Sequence, residues 1–365
     1  MTYNKTIKYF VSLTCLIFVS CMNSGNFHGK MNETEESDIV IEATPSIIVI
    51  DSIHSRTFIV IDSLAIFYQT LDRSHSFHVF NVNNGKEIGK YCPVGHGKGE
   101  YVALSPISNM AKDGTVMSTL LFAPNESKMV VWNITESIKR GATVFDKTIR
   151  YIWQKDSPAG ISCVYAIGKD TILVKCPSVH IANTDEILPC VYQTRMLSSN
   201  KLLNEIQLFD APDKAESAIM PEFLYSSSNS LKPDKNKFVE AMMYEPQINI
   251  VDLRTGKSYG YKLRTAHANA CVEKAMENVH SFYLRVQSTN DYIIALYNGQ
   301  EIQSTGAGYD ILHVYNWNGK MLNKVKLKHP VHEICIDEAS SYLYALNENE
   351  KNLYSYKLSE LVSER

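Results

Sequence analysis

The stretch INIVDLRTGK, residues 248–257, decides the predicted fold of this chain. Alternating apolar and polar residues run into a polar turn that ends near Gly256, which is typical of a β-strand entering a tight hairpin. The same pattern recurs as FHVFNVNNGK at residues 77–86 and as LHVYNWNGK at residues 312–320. Only glycine adopts positive φ in such a turn without steric cost, so the recurring unit predicts a β-hairpin.

Repetition of this hairpin predicts the architecture. Six units can be placed along the chain, at residues 58–91, 115–151, 161–209, 237–264, 281–327 and 331–358. Gly256 and Gly319 are 63 residues apart, about as much chain as four strands with generous loops, which matches the period of a propeller blade. We therefore predict an all-β, six-bladed β-propeller formed by residues 46–365 as a single domain. Two β-sandwich domains are the alternative, but they would not explain the recurrent unit.

The two ends of this predicted domain complement each other. The last unit lacks an outer strand, and residues 46–52 form a strand-like segment without a partner of its own. Unpaired strand edges invite aggregation. We therefore expect N- and C-terminal strands to share one blade and close the ring.

The composition excludes one class of partner. Of the 365 residues, 36 are Lys or Arg and 39 are Asp or Glu, which gives a formal net charge of −3. A nucleic-acid-binding protein needs a basic excess to neutralise phosphates, so we expect no nucleic-acid partner. The 45% of hydrophobic residues is enough for a sizeable core.

Residues 1–20 indicate an export signal. Lys5 and Lys8 precede an apolar run at residues 9–19, which is too short to span a bilayer as a helix. The end of the run, FVSC at residues 18–21, resembles a bacterial lipobox, which implies acylation of Cys21 as the mature N-terminus. The alternative is an ordinary secretory signal with an incidental cysteine. We favour attachment to the outer membrane on its periplasmic face, with exposure at the cell surface as the alternative.

Residues 21–45 are polar and carry an acidic cluster, so we predict a tether between the anchor and the propeller. Six cysteines follow Cys21, and none forms a C-x-x-C pair. Several lie in strand-like apolar runs, where a free cysteine behaves as a small hydrophobe. Cys176 and Cys190 flank a predicted loop, so this is the one pair that we would test for a disulfide bond.

The turn VGHGKGEY at residues 94–101 follows the first unit and carries three glycines on alternate positions. A phosphate cradle would require a helix after the turn, and Pro106 argues against one. The chain here resembles the TolB-like six-bladed propeller lipoproteins of Bacteroides-type bacteria, whose first blade closes with a G-x-G-P-G-E-[FY] turn; Lys98 stands where proline is usual. The resemblance extends to the lipobox and to the turn at residues 252–256. It implies a lipid-anchored propeller without established catalytic residues.

Two groups of residues are candidates for a site. We predict a structural role for the turn residues, with glycines supplying backbone freedom and the carboxylate capping nearby N–H groups: Gly95, Gly97, Gly99 and Glu100. The alternative for the turn is ligand binding by His96, Lys98 and Glu100. Polar residues in and before the loop at 265–279 are further ligand candidates: Arg264, His267, Asn269 and Glu273.

The sequence offers no catalytic motif. The eleven histidines are scattered, and the chain contains no G-x-S-x-G, H-E-x-x-H or P-loop pattern. We therefore expect no metal and no cofactor, and a binding or scaffold function with an envelope protein or a saccharide as partner. The alternative is a metal-dependent propeller enzyme, similar to a lactonase or lyase, with acidic or His ligands from several blades converging on a Ca²⁺ or Zn²⁺ ion at the channel mouth.

Overall fold

Each recurring hairpin lies within a four-stranded antiparallel arrangement. The computed structural model describes residues 27–50, 55, 57–69, 71–151, 160–180, 187–211, 225–264, 280–301, 308–347, 349–350 and 352–362. In these residues six blade sheets follow one another as a six-bladed β-propeller. The predicted fold is confirmed, and the two-sandwich alternative is wrong. Gly85, Gly256 and Gly319 of the repeated turns have φ of 68°, 70° and 76°, as the pattern predicts.

Three strands precede the first complete blade: β1 (Lys30–Thr34), β2 (Val40–Ala43) and β3 (Ser46–Val49). Blade 1 contains β4 (Thr57–Ile61), β5 (Leu64–Tyr68), β6 (His75–Asn81) and β7 (Glu87–Pro93). Blade 2 contains β8 (Met110–Asp113), β9 (Val116–Ala123), β10 (Lys128–Asn133) and β11 (Phe145–Arg150), with helix α1 (Ile134–Arg140) between its last two strands. Blade 3 contains β12 (Cys163–Ala166), β13 (Thr171–Cys176), β16 (Val191–Met196) and β17 (Leu202–Gln207), and the hairpin β14 (Val179–His180) and β15 (Ile187–Leu188) is inserted in it.

The second half of the ring repeats this order. Blade 4 contains β18 (Ser227–Leu231), β19 (Lys237–Met242), β20 (Gln247–Asp252) and β21 (Ser258–Leu263). Blade 5 contains β22 (His280–Ser288), β23 (Tyr292–Glu301), β24 (Tyr309–Asn316) and β25 (Met321–Val331). Blade 6 contains β26 (Glu333–Asp337), β27 (Tyr342–Asn347) and β28 (Asn352–Lys357), and helix α2 (Leu358–Leu361) follows. Within the described ranges, no helix is both long and apolar enough to cross a membrane.

Large apolar side chains fill the spaces between neighbouring blades. Phe77 of blade 1 stacks on Trp132 of blade 2, with ring centroids 5.0 Å apart. Tyr192 of blade 3 meets Phe238 of blade 4 at 4.4 Å. Strand residues alternate between the two faces of a blade, so each blade contributes to the two core clusters that flank it. Packing between blades therefore stabilises the ring.

The ring is closed by strands from both termini, as predicted. β3 pairs antiparallel with β28 and becomes the fourth strand of blade 6, with Ile48 opposite Leu353. Ile48 packs in the core cluster between blades 6 and 1. The first blade turn also fits against β3, because a Cβ at Gly85 would lie 2.0 Å from the carbonyl oxygen of Val49. Glycine at this position thus permits the two backbones to approach.

Two further N-terminal strands lie on the outer edges of blades 4 and 5. β1 pairs in parallel with β21, with Asn32 opposite Tyr261. β2 pairs in parallel with β25, with Ile41 opposite Val325. Residues 27–43, which we name the N-terminal strap, are therefore part of the propeller.

The strap corrects the predicted tether at residues 21–45, of which residues 21–26 lie outside the described part. The polar composition that indicated a tether also suits an edge strand, because such a strand meets water on one side. The acidic residues pair with bases of the blades. Arg264 Nε lies 3.1 Å from Glu33 Oε2, and Lys324 Nζ lies 3.2 Å from Glu36 Oε2.

Closure by β3 leads to a stability prediction. We expect Ile48→Asp to lower the free energy of unfolding by about 2–3 kcal/mol, because it places a carboxylate in the core between blades 6 and 1. Ile47→Asp is the matched control, since this neighbouring side chain is 53% exposed. It should cost less than about 0.5 kcal/mol. Urea unfolding followed by circular dichroism measures both variants, and equal losses would contradict closure by β3.

Candidate functional site

A cavity of about 440 Å³ lies beside the first strands of the blades. Each blade repeats the same strand order, so these strands start at the same end of the central channel. Every blade, or the segment leading into it, contributes to the wall. In order from blade 1 to blade 6, lining residues include Thr57, Ser108, Cys163, Ser227, Arg285 and Glu333.

The wall of the cavity is rich in hydroxyl and amide groups. Six serines line it: Ser108, Ser162, Ser178, Ser226, Ser227 and Ser228. Asn229 and Gln287 add carboxamides, and Tyr165 and Tyr225 add aromatic rings. The phenol groups of these tyrosines donate to backbone carbonyl oxygens, those of Asn229 and Asp210 respectively, at 3.0 Å. The cavity can therefore exchange hydrogen bonds with a small polar molecule.

A buried ion pair joins blades 3 and 4 beside the cavity. Lys175 Nζ lies 3.0 Å from Glu240 Oε1, and their side chains are 7% and 2% exposed. Glu240 also accepts hydrogen bonds from Tyr192 Oη at 2.6 Å, Ser227 Oγ at 2.8 Å and Asn249 Nδ2 at 3.0 Å. Burial alone would raise the pKa of Glu240, but the Lys175 charge and these hydrogen bonds lower it below its ordinary value. The charges are thus fully compensated.

A second ion pair joins blades 5 and 6. Arg285 Nε lies 2.5 Å from Glu333 Oε2, and Arg285 Nη1 donates to the carbonyl oxygen of Leu284 at 2.7 Å. The Arg285 side chain is 34% exposed, whereas that of Glu333 is 5% exposed. Burial raises the pKa of Glu333 to about 7, although the Arg285 charge opposes the rise. The basic partner is therefore the accessible one.

The described cysteines are free thiols, so Cys176 and Cys190, the pair to be tested, form no disulfide. Cys176 packs in the core between blades 2 and 3, whereas Cys190 lines the cavity. The two side chains thus belong to different environments. Cys163 also lines the cavity. Burial raises the pKa of Cys163 and of Cys190 to about 11, which keeps both groups as thiols at neutral pH.

The glycine-rich turn lies apart from the cavity wall. Glu100 Oε2 accepts the backbone N–H of Gly97 at 2.9 Å. A Cβ at Gly95 would lie 2.1 Å from the same oxygen, and Gly99 has φ of 81°. The carboxylate therefore folds over the turn and fills the space that larger residues would need. His96 and Lys98 are exposed on this turn, and neither lines the cavity.

Of the remaining candidates, one pairs with the strap and the others lie outside the described residues. Arg264 follows β21 and pairs with Glu33 and Glu35 of the strap, outside the cavity wall. The other candidates lie outside the described residues: Cys21, His267, Asn269 and Glu273. In the part of the chain that is described, no three His, Cys, Asp or Glu side chains are grouped to hold a metal ion.

The sequence analysis missed the ion-paired residues. Lys175 and Glu240 each interrupt an otherwise buried apolar strand, TILVKC and KFVEAM. Glu333 similarly begins the buried strand EICID. A charged residue inside such a strand needs a buried partner, and this signal was present. The partner is on another blade, so its identity required the three-dimensional arrangement.

Comparison with solved structures gives a match that supports the fold. The chain is similar to the structure of a DUF4221 family member from Bacteroides vulgatus ATCC 8482, with a TM-score of 0.54 and 12% identity over 88% of this chain and 97% of that chain. It is also similar to a protein from Bacteroides fragilis NCTC 9343 that is inferred to be exported, with a TM-score of 0.48 and 11% identity over 90% and 99% of the two chains. No family model and no curated relative matches the sequence. Membership of the TolB-like family stays a prediction.

The buried pair leads to a double-variant prediction. Lys175→Met should lower the free energy of unfolding by about 3–5 kcal/mol, because it leaves the Glu240 carboxylate uncompensated. Adding Glu240→Gln removes that charge, so the double variant should be more stable than Lys175→Met alone.

Urea unfolding of the single and double variants measures this coupling. Lys112→Met is the control, because Lys112 pairs with Asp62 at the surface. Its loss should cost at most about 1 kcal/mol. Strictly additive effects of Lys175→Met and Glu240→Gln would contradict the interpretation that each charge depends on the other.

Proposed function

We propose that the chain is a lipid-anchored cell-envelope protein that binds a saccharide in its central channel and does not catalyse a reaction. The observation that carries this proposal is the polar cavity to which all six blades contribute. Its volume of about 440 Å³ suits a small molecule or one end of an oligosaccharide. In such a binding site the propeller holds the lining side chains in fixed positions and needs no catalytic group.

The chemistry of the wall favours a saccharide over a protein partner. Serine hydroxyls and the Gln287 carboxamide can donate to and accept from sugar hydroxyls, whereas the Asn229 carboxamide is already bonded to Tyr192 and Lys175. A folded protein partner would instead need a broad surface of about 800 Å².

Binding is favoured over metal-dependent catalysis by the state of the carboxylates. Glu240 and Glu333 each pair with a basic side chain. Calcium sites use several oxygen ligands, and carboxylates engaged by Lys or Arg are poor candidates for that role. Metal analysis of the purified mature protein tests the alternative. A stoichiometric divalent ion, lost on Glu333→Gln, would favour the enzyme.

The position of the strap supports anchoring close to the membrane. Phe27 packs on Phe209 at 5.3 Å, and Phe209 stacks on Tyr225 of the cavity wall at 4.9 Å. Six residues after Cys21 bring the chain to Phe27, a distance of at most about 20 Å when fully extended. An acyl group on Cys21 would thus hold the cavity end of the propeller near the bilayer.

Acylation is tested by metabolic labelling. We expect radiolabelled palmitate to enter the wild-type protein and not Cys21→Ala, because Cys21 occupies the acylated position of the lipobox. Cys15→Ala is the matched control, since Cys15 lies within the predicted signal and should leave labelling unchanged. Equal labelling of wild type and Cys21→Ala would contradict the anchor.

Saccharide binding is tested with the purified mature chain. Calorimetry against a panel of envelope oligosaccharides should identify at least one ligand, and Gln287→Ala should weaken it about tenfold through loss of a hydrogen bond. His96→Ala on the exposed turn should leave affinity unchanged. Absence of binding across the panel, with capture of one envelope protein instead, would favour a protein partner.

A further inference from the structure

The charges beside the cavity differ in how far a ligand can reach them. Lys175, Glu240 and Glu333 have side chains that are at most 7% exposed. Arg285 is 34% exposed and lines the cavity. Although the four charges sum to zero, the accessible one is positive. A ligand that enters the cavity therefore meets a guanidinium.

Arg285 is held in place by two contacts, and bonds within the described part of the chain leave some of its N–H donors unused. Nε is bound to Glu333 and Nη1 to the carbonyl oxygen of Leu284. A guanidinium has five N–H donors in one plane. The two contacts fix that plane, and within the described residues no hydrogen bond engages Nη2. A fixed guanidinium with free donors is suited to bidentate recognition of a carboxylate.

Gln287 lies beside Arg285 on the cavity side of β22. Residues two apart on a strand share a face, at a spacing of roughly 7 Å. Val286, between them, is buried in the opposite core cluster between blades 4 and 5. Arg285 and Gln287 thus present a cationic group and a carboxamide at a separation comparable to the breadth of a sugar ring.

We infer that the ligand of the cavity is an acidic saccharide, whose carboxylate pairs with Arg285 while a neighbouring sugar hydroxyl bonds to Gln287. This inference rests on the saccharide binding proposed above and adds the charge of the sugar. Glu333 also lines the cavity, but its side chain is only 5% exposed, its Oε2 pairs with Arg285, and its Oε1 accepts the backbone N–H of Ile334 at 3.2 Å, so the guanidinium is the more accessible charge. The ligand carboxylate would take the donors that Glu333 leaves free.

Matched pairs of oligosaccharides test this inference. The probes are oligogalacturonates and their methyl esters, which differ in charge and keep the same ring hydroxyls. Calorimetry on the mature chain should show at least tenfold tighter binding of the acidic member. Arg285→Gln should abolish the preference, and Arg285→Lys should retain part of it. Gln287→Ala should weaken both members equally, which separates charge recognition from general contact.

A second variant keeps the test independent of folding. Arg285→Gln alone leaves the buried Glu333 carboxylate without its cation, which could destabilise the fold. The double variant Arg285→Gln/Glu333→Gln instead replaces the ion pair by two uncharged carboxamides. It should also lose the preference while retaining the wild-type thermal transition. Equal or tighter binding of the methyl esters would overturn the inference and leave saccharide binding intact. Failure of every acidic and neutral saccharide would overturn the proposed function itself.

Discussion

The backbone edge of each blade is the constraint on which this propeller depends. Donors and acceptors on an outer strand need partners, and a ring of blades also has a seam where the termini meet. The N-terminal segment meets both needs. β3 supplies the fourth strand of blade 6, while β1 and β2 extend blades 4 and 5. One stretch of chain, residues 30–49, therefore joins three consecutive blades.

The cavity depends on the same closure. Its wall takes residues from all six blades, so it exists only when the ring is complete. Two ion pairs cross between blades at this end of the channel, Lys175 with Glu240 and Arg285 with Glu333. A buried charge tolerates little displacement from its partner, since separation leaves it uncompensated in a medium of low polarity. The pairs thus fix the relative positions of blades 3 and 4, and of blades 5 and 6.

Local patterns predicted the blades, and the unpaired segment at residues 46–52 predicted the ring closure, but the other non-local contacts escaped prediction. The turn at Gly256 is specified by ten adjacent residues, so its hairpin could be predicted from sequence. The strap could not, because an edge strand and a solvated tether share a polar composition. Arg264 illustrates the same limit. Its contact with Glu33 spans 231 residues, and only the folded sheet brings the two together. The cavity wall likewise required the three-dimensional order of the blades.

The strap and the cavity meet at a shared set of contacts. His28 Nε2 lies 2.7 Å from Asp210 Oδ1, and the Asp210 carbonyl oxygen accepts the phenol of Tyr225 at 3.0 Å. Tyr225 in turn lines the cavity and stacks on Phe209, against which Phe27 packs. The start of the strap is therefore attached through a few side chains to the wall of the channel. Because strand pairing holds the rest of the strap to blades 4 and 5, the position of the cavity relative to the start of the strap at Phe27 is fixed by the fold.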